Sequence, residues 1–349
     1  MFHPRDLAEP IVQAPLAGGP STPKLAIAVC EAGGLGFVAA GYKTADAVAE
    51  QIDAVAACTS RPLGVNVFVP APGPADPDAV AAYLEELEAE ALLQGAEVGE
   101  PRFEDDDWER KLEVICDRGV AVASFTFGCP EAPAVARLQN AGVAVWVTVT
   151  DPREAELARD AGADALIVQG TEAGGHRGGF DDADSTGGIG LLALLRIVAG
   201  SVQLPLVAAG GIADGAAVAA VLCAGASAAQ VGTALMLAPE AGTHEAQRAL
   251  LSERVPTQLT RAFTGRLARG MVNRFLEQRT ANAPSAYPEI HHATSPIRAA
   301  ARERGDAGSF NLWAGQAHEL ARDRPAGEIV RQMGADCRRV LRELDERLS

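Results

Sequence analysis

Short apolar runs recur along this chain, and each is followed by a segment of helical character. The runs are IVQAP, LGFVAA, LGVNVFV, VAVASFTFG, VAVWVTVT, DALIVQG, LPLVAAGG and AAQVGTALM, between Ile11 and Met236. A strand wetted on one face alternates apolar with polar residues. Runs that are apolar throughout belong to strands covered on both faces, as in a parallel sheet flanked by helices. The intervening segments supply the helices: DPREAELARDAGA, for example, offers Asp151 as an N-cap and Pro152 in the first turn. Eight such units predict an α/β fold, a (β/α)8 TIM barrel. A doubly wound sheet would show fewer units and a GxGxxG after its first strand, whereas the turn there reads LAGGPSTPK.

With 349 residues, 48% of them hydrophobic, the chain is long enough for one large core and an appendage. The alternation stops after Leu237, so residues 1–237 are expected to form the barrel and 238–349 a mostly helical C-terminal lid or small domain. In that region APEAGTHEAQRALLSERV, SPIRAAARERG and GEIVRQMGADCRRVLRELDERLS read as helices, and TRAFTGRLARGMVNRFLEQ reads either way. An acidic stretch, residues 71–118, interrupts the barrel pattern. Its Tyr83, Leu84, Leu87 and Ala91 mark one amphipathic helix and WERKLEVICDRG another, predicting an elaborated third helix on the barrel exterior. The run EDDD inside it suits a solvated loop or helix start, and no metal site is expected.

The formal charge of -16 excludes the basic surface that nucleic acid or an anionic membrane rewards. The N-terminus MFHPRDLAEP lacks a secretory pattern, and the most apolar stretch is broken by Gly210, Gly211 and Asp214, so no membrane span is expected. Six cysteines without a CxxC pair fit reduced thiols in a cytoplasmic protein. The sequence leaves a homodimer open.

In a TIM barrel the chemistry lies at the C-terminal strand ends, and phosphates commonly bind after the seventh and eighth strands. Gly210 and Gly211 fall at the end of the seventh, where a missing Cβ admits a phosphate oxygen to a backbone amide, with Asp214 as a helix cap. Gly232 and Thr233 fall at the end of the eighth. Together they predict a phosphate-bearing ligand. After the sixth strand comes GTEAGGHRGGF, which would bring a bare backbone and His176 to the same mouth. An imidazole titrates near neutrality and suits proton transfer there. Arg177 reads either as a surface ion pair or as a neighbour of an anionic substrate.

Taken together, VQAPLAGGPSTPKLAIAVCEAGGLG, GVNVF, VQGTEAGGHRGGF, LPLVAAGGIADG, AAQVGTA, FTGRLARGMVNRF and NLWAGQ resemble the nitronate monooxygenase family, formerly called 2-nitropropane dioxygenases. The resemblance spans nearly the whole chain and is weakest across residues 71–118. It implies FMN held without a covalent bond in a TIM barrel, and oxidation of alkyl nitronates such as propionate 3-nitronate with dioxygen. By position it implies Ala14, Pro15 and Leu16 at the isoalloxazine edge, Asn66 and Gln169 hydrogen-bonded to the flavin, and Gly174 beside it with its neighbour Gly175. Gly211 and the run Gln230, Val231, Gly232, Thr233 would hold the ribityl phosphate, with Gly210 adjoining, and His176 looks like the family's catalytic base. Amide side chains suit a flavin edge because they carry both a donor and an acceptor. Two positions depart from the family pattern: Leu16 stands where methionine is usual, and Cys129 follows the fourth strand. The alternative within the same superfamily is a reductase that takes hydride from NAD(P)H for a quinone or an enoyl thioester. Arg177 disfavours it, because an aliphatic residue is expected after the histidine there. A non-catalytic FMN-binding protein would keep the phosphate site and lose the histidine.

Overall fold

The computed structural model describes residues 1–182 and 188–349. Its strands, in chain order, begin with β1 (Ile11–Gln13), β2 (Gly36–Ala39), β3 (Leu63–Phe68), β4 (Val122–Thr126), β5 (Ala144–Val149) and β6 (Ala165–Gln169). The two-residue β7 (Gly175–His176) lies in the loop after β6, and β8 (Leu206–Ala209) and β9 (Ala228–Val231) follow. All but β7 are parallel neighbours in the order β1-β9-β8-β6-β5-β4-β3-β2. A parallel bridge between Val12 and Leu35 closes the ring, with the Leu35 amide donating to the Ile11 carbonyl at 3.0 Å. The predicted (β/α)8 barrel is therefore the observed fold.

Period-two alternation explains why these strands are apolar throughout. In β5, Val145, Val147 and Val149 face the helix shell, while Ala144 and Trp146 fill the barrel interior beside Phe37 and Ile167. Phe2 and Leu7 close that inner core from the N-terminal segment, Phe2 lying 6.3 Å from the Trp146 ring. The shell is built from α1 (Pro23–Glu31), α2 (Ala45–Ala56), α3 (Pro77–Gln94), α4 (Trp108–Arg118), α5 (Ala132–Asn140), α6 (Pro152–Asp160), α7 (Leu191–Ser201) and α8 (Gly215–Cys223). Local caps set their starts: Asp151 accepts from the Glu154 amide at 2.9 Å, and Asp214 from the Ala217 amide at 2.8 Å.

The acidic stretch serves two places. α4 packs beside α2 on the barrel, and the EDDD acids dock them: Asp106 pairs with the fully buried Lys111 at 2.8 Å, and Asp107 accepts from the Ala45 amide at 2.8 Å. α3 instead joins a second core, where Val80, Tyr83, Leu87 and Ala91 meet Phe263, Phe275 and Ile290.

Beyond the barrel come α9 (Glu245–Leu251), α10 (Arg274–Arg279), α11 (Glu289–Glu303) and α12 (Ala326–Leu348). α12 returns to pack on α8 and α1. The segment that reads either way in sequence contributes both a strand, β11 (Ala268–Met271), and most of α10; β11 is antiparallel to β10 (Thr257–Thr260), which ends where that segment begins. β11 also pairs with β7, setting Ala268 opposite His176 and Arg269 opposite Gly175. The C-terminal region thus reaches back and holds the histidine loop. Among the described residues, no helix is long and apolar enough to cross a membrane.

Candidate active site at the barrel mouth

The C-terminal ends of the strands open into a cavity of about 490 Å³. Its floor is the last inward-facing layer of the barrel, including Asn66 of β3, Gln169 of β6 and Gln230 of β9. Hydrogen bonding has already oriented the first two. Asn66 Nδ2 donates to the Ser124 carbonyl at 3.1 Å, Ser124 Oγ at 2.9 Å and Thr126 Oγ1 at 3.0 Å, so its donor side is committed to the wall and Oδ1 is what it can still offer. Gln169 Oε1 accepts from the Gly178 amide at 2.9 Å and Arg177 Nη1 at 3.2 Å, while Nε2 donates to the His176 carbonyl at 3.1 Å. Gln230 differs. Its Nε2 is buried with no hydrogen-bond partner, a state that costs about 1–3 kcal/mol unless something in the cavity accepts from it.

Beside these amides the backbone is bare. Gly210 and Gly211 have φ of 117° and 68°, the left-handed region that a side chain penalises, and a Cβ on Gly211 would stand 3.0 Å from Glu172 Cβ. A Cβ on Gly232 would meet Ala14 Cβ at 3.3 Å and Leu16 Cδ2 at 3.4 Å. Thr233 Oγ1 accepts from the Gly315 amide at 3.0 Å, and α8, with its positive dipole end, begins at Gly215, four residues after Gly211.

His176 faces this space from β7. Its Nε2 lies 2.9 Å from Thr264 Oγ1, and the rings of Phe127, Trp313 and Tyr287 surround it at 5.5, 5.7 and 6.0 Å. Burial first, then the charges of Arg266 and Arg298 against the opposing Asp182, push its pKa from 6.5 to about 3. The imidazole is therefore neutral at physiological pH. The Thr264 hydroxyl also reaches the Arg266 carbonyl at 3.3 Å; with its proton given there, Nε2 would carry the ring hydrogen and Nδ1 the lone pair.

Ala14, Pro15, Leu16, Gly174, Gly175, Gly210, Gly211, Gly232 and Thr233 line the same cavity. Val231 does not: its side chain is fully buried against the helix shell, and only its carbonyl acts locally, accepting from the Ala14 amide at 2.8 Å. Arg177 is neither at the surface nor in the cavity wall. It is 3% exposed and donates to the Gly170 carbonyl at 2.6 Å, bracing the loop from behind. Cys129 also stays out of the wall, and burial pushes its thiol up to about 11, leaving it protonated and unreactive at neutral pH. The sequence did not single out Tyr42, His291, Arg298, Arg302 or Trp313, which complete the roof. The only signal for the arginines was their spacing four apart in SPIRAAARERG.

The model of the nitronate monooxygenase family matches residues 5–336. The chain belongs to that family. It is an oxidoreductase, 40% identical over 347 residues to a nitronate monooxygenase of Paraburkholderia phytofirmans, covering 96% of this chain and 94% of that one. It is likewise 40% identical over 344 residues to a nitronate monooxygenase of Pseudomonas aeruginosa, covering 95% and 97%. Among solved structures, nitroalkane oxidase from Streptomyces ansochromogenes superposes with a TM-score of 0.95 at 49% identity, over 98% of this chain and 99% of that one. FabK from Thermotoga maritima is more distant, with a TM-score of 0.75 at 25% identity over 97% and 96%.

Proposed function

We propose that this protein binds FMN at the barrel mouth and oxidises alkyl nitronates with dioxygen, with His176 as the base that deprotonates neutral nitroalkanes. The observation that carries the cofactor reading is the orphaned Gln230 amide beside a glycine-lined cradle, a donor awaiting an acceptor next to backbone left bare for an oxyanion. Gly210, Gly211, Gly232 and Thr233 would hold the phosphate; Gln230, which the resemblance gave to the phosphate, shares the cavity floor with Asn66 and Gln169, so all three would meet the ring's polar edge. Asn66 offers an acceptor and Gln230 a donor, a complementary pair for an edge that carries both. Bound FMN supplies a two-electron acceptor that dioxygen can reoxidise.

The remaining work falls to the chain. His176 enters as a free base, and its unprotonated ring nitrogen takes the proton from the carbon next to the nitro group. The negative charge left on the nitronate offsets the cost of protonating the buried imidazole, a protonation that Arg298 in the same cavity by itself opposes. Phe127, Tyr287 and Trp313 exclude water from that step.

The purified protein is expected to be yellow and to release FMN, not FAD, on denaturation. A colourless protein that takes up no added FMN would overturn the cofactor assignment.

A further inference from the structure

The chain has 46 acidic and 30 basic residues, yet the wall of the cavity contains no aspartate, glutamate or lysine among the described residues. Its charged members are Arg298 and Arg302, one turn apart on α11. Arg298 is 5% exposed. Its Nε donates to Thr294 Oγ1 at 2.9 Å and its Nη2 to the His291 carbonyl at 2.8 Å. Asn311 Oδ1 bridges the pair, accepting from Arg298 Nη1 at 3.3 Å and Arg302 Nη2 at 2.7 Å. Arg302 also lies over the Phe310 ring at 5.1 Å.

Every one of those acceptors is uncharged. Among the described residues no carboxylate comes within ion-pair distance of either guanidinium, and burial lowers both pKa values, Arg298 to about 10 with the help of its like-charged neighbour. Two desolvated cations four residues apart repel each other, so the arrangement is costly until an anion joins them. Asn311 holds the two forks in place, as a preorganised anion site requires. The pair is also separate from the glycine cradle, which comes from the ends of β8 and β9.

We propose that Arg298 and Arg302 form a second oxyanion subsite, which takes a carboxylate or phosphate carried by the reacting partner away from the atom that faces His176. That the reacting partner is a nitronate rests on the function proposed for the whole cavity; the subsite itself does not. A carboxylate would arrive on a small acidic nitro compound, a phosphate on a pyridine nucleotide.

Calorimetric titration of the flavin-loaded enzyme with succinate and with NADH, for wild type, Arg302→Gln and Arg302→Lys, tests this without requiring turnover. The anion that binds wild type should lose about 10- to 100-fold in affinity in Arg302→Gln, the loss expected for a charge-assisted hydrogen bond, and recover most of it in Arg302→Lys. A response to succinate alone assigns the subsite to a substrate carboxylate. The ratio of kcat/KM for 3-nitropropionate nitronate over propyl-1-nitronate should then fall by the same factor in Arg302→Gln. A response to NADH alone assigns it to a nucleotide phosphate. Failure of both anions to bind wild type, or equal affinities in wild type and Arg302→Gln, overturns the proposal. Arginine-dependent anion binding without nitronate oxidation would keep the subsite and remove the nitronate reading, whereas nitronate oxidation without any anion response would remove the subsite alone.

Discussion

Replacing His176 with alanine is expected to lower turnover of neutral nitroalkanes by about 10²–10⁴-fold, the usual worth of a positioned general base. The loop should keep its course, because backbone pairing holds it: Ala268 lies opposite His176, and the Arg177 amide donates to the Leu267 carbonyl at 2.8 Å. Preformed nitronates have already lost the proton in question, so their oxidation should suffer much less. Misfolding or flavin loss would depress both substrate forms alike, which makes the comparison diagnostic. In the free enzyme the imidazole is unprotonated above about pH 3, so kcat/KM for nitroalkanes should show no acid limb from this residue between roughly pH 5 and 8. Equal losses on nitroalkane and nitronate with FMN intact would assign His176 to binding or to tuning the flavin.

Gly174→Ala is expected to be the most damaging single methyl in the site. Its Cβ would stand 2.5 Å from the Ala314 carbonyl carbon and 2.9 Å from Ala314 Cα, with the Gly315 nitrogen closer still. These are backbone atoms and cannot rotate aside. They belong to the segment that docks the C-terminal region on the histidine loop, where the Gln316 amide donates to the Glu172 carbonyl at 3.0 Å and the Gly315 amide to Thr233. Overpacking there should cost about 1–3 kcal/mol and pry the roof from the phosphate cradle, so FMN content should fall together with the melting temperature. Gly175→Ala is the control. A Cβ there meets nothing within 4 Å, and its φ of 72° leaves only a conformational penalty of about 1–2 kcal/mol. Gly174→Ala with wild-type flavin content and stability would show that the roof does not close on this glycine.

The barrel was legible because its strands are buried on both faces, a condition that stamps a continuous apolar run on each of them. The glycines and the histidine at the strand ends were legible for a related reason, since their positions follow from where each run stops. Period-two alternation carries further than the motif does: with Gln230 facing inward, Val231 must face the helices. What lay beyond the sequence were the pairings between distant segments. β7 has two residues, too few for any periodicity, and acquires strand character only from β11, about ninety positions later. Likewise α3 displays an amphipathic face without naming α11 as the surface that covers it. The roof residues Tyr42, His291, Arg298 and Trp313 converge from loops and helices whose inward faces are fixed only in three dimensions.

The most direct test is an anaerobic titration of the flavin-loaded protein, following its visible absorbance first with a primary nitronate and separately with NADH. Stoichiometric bleaching by the nitronate, recovery of the yellow form on admission of dioxygen, and no bleaching by NADH at comparable concentration is the predicted result. Bleaching by NADH with a flavin that the nitronate leaves oxidised would contradict the account and assign the barrel to a reductase.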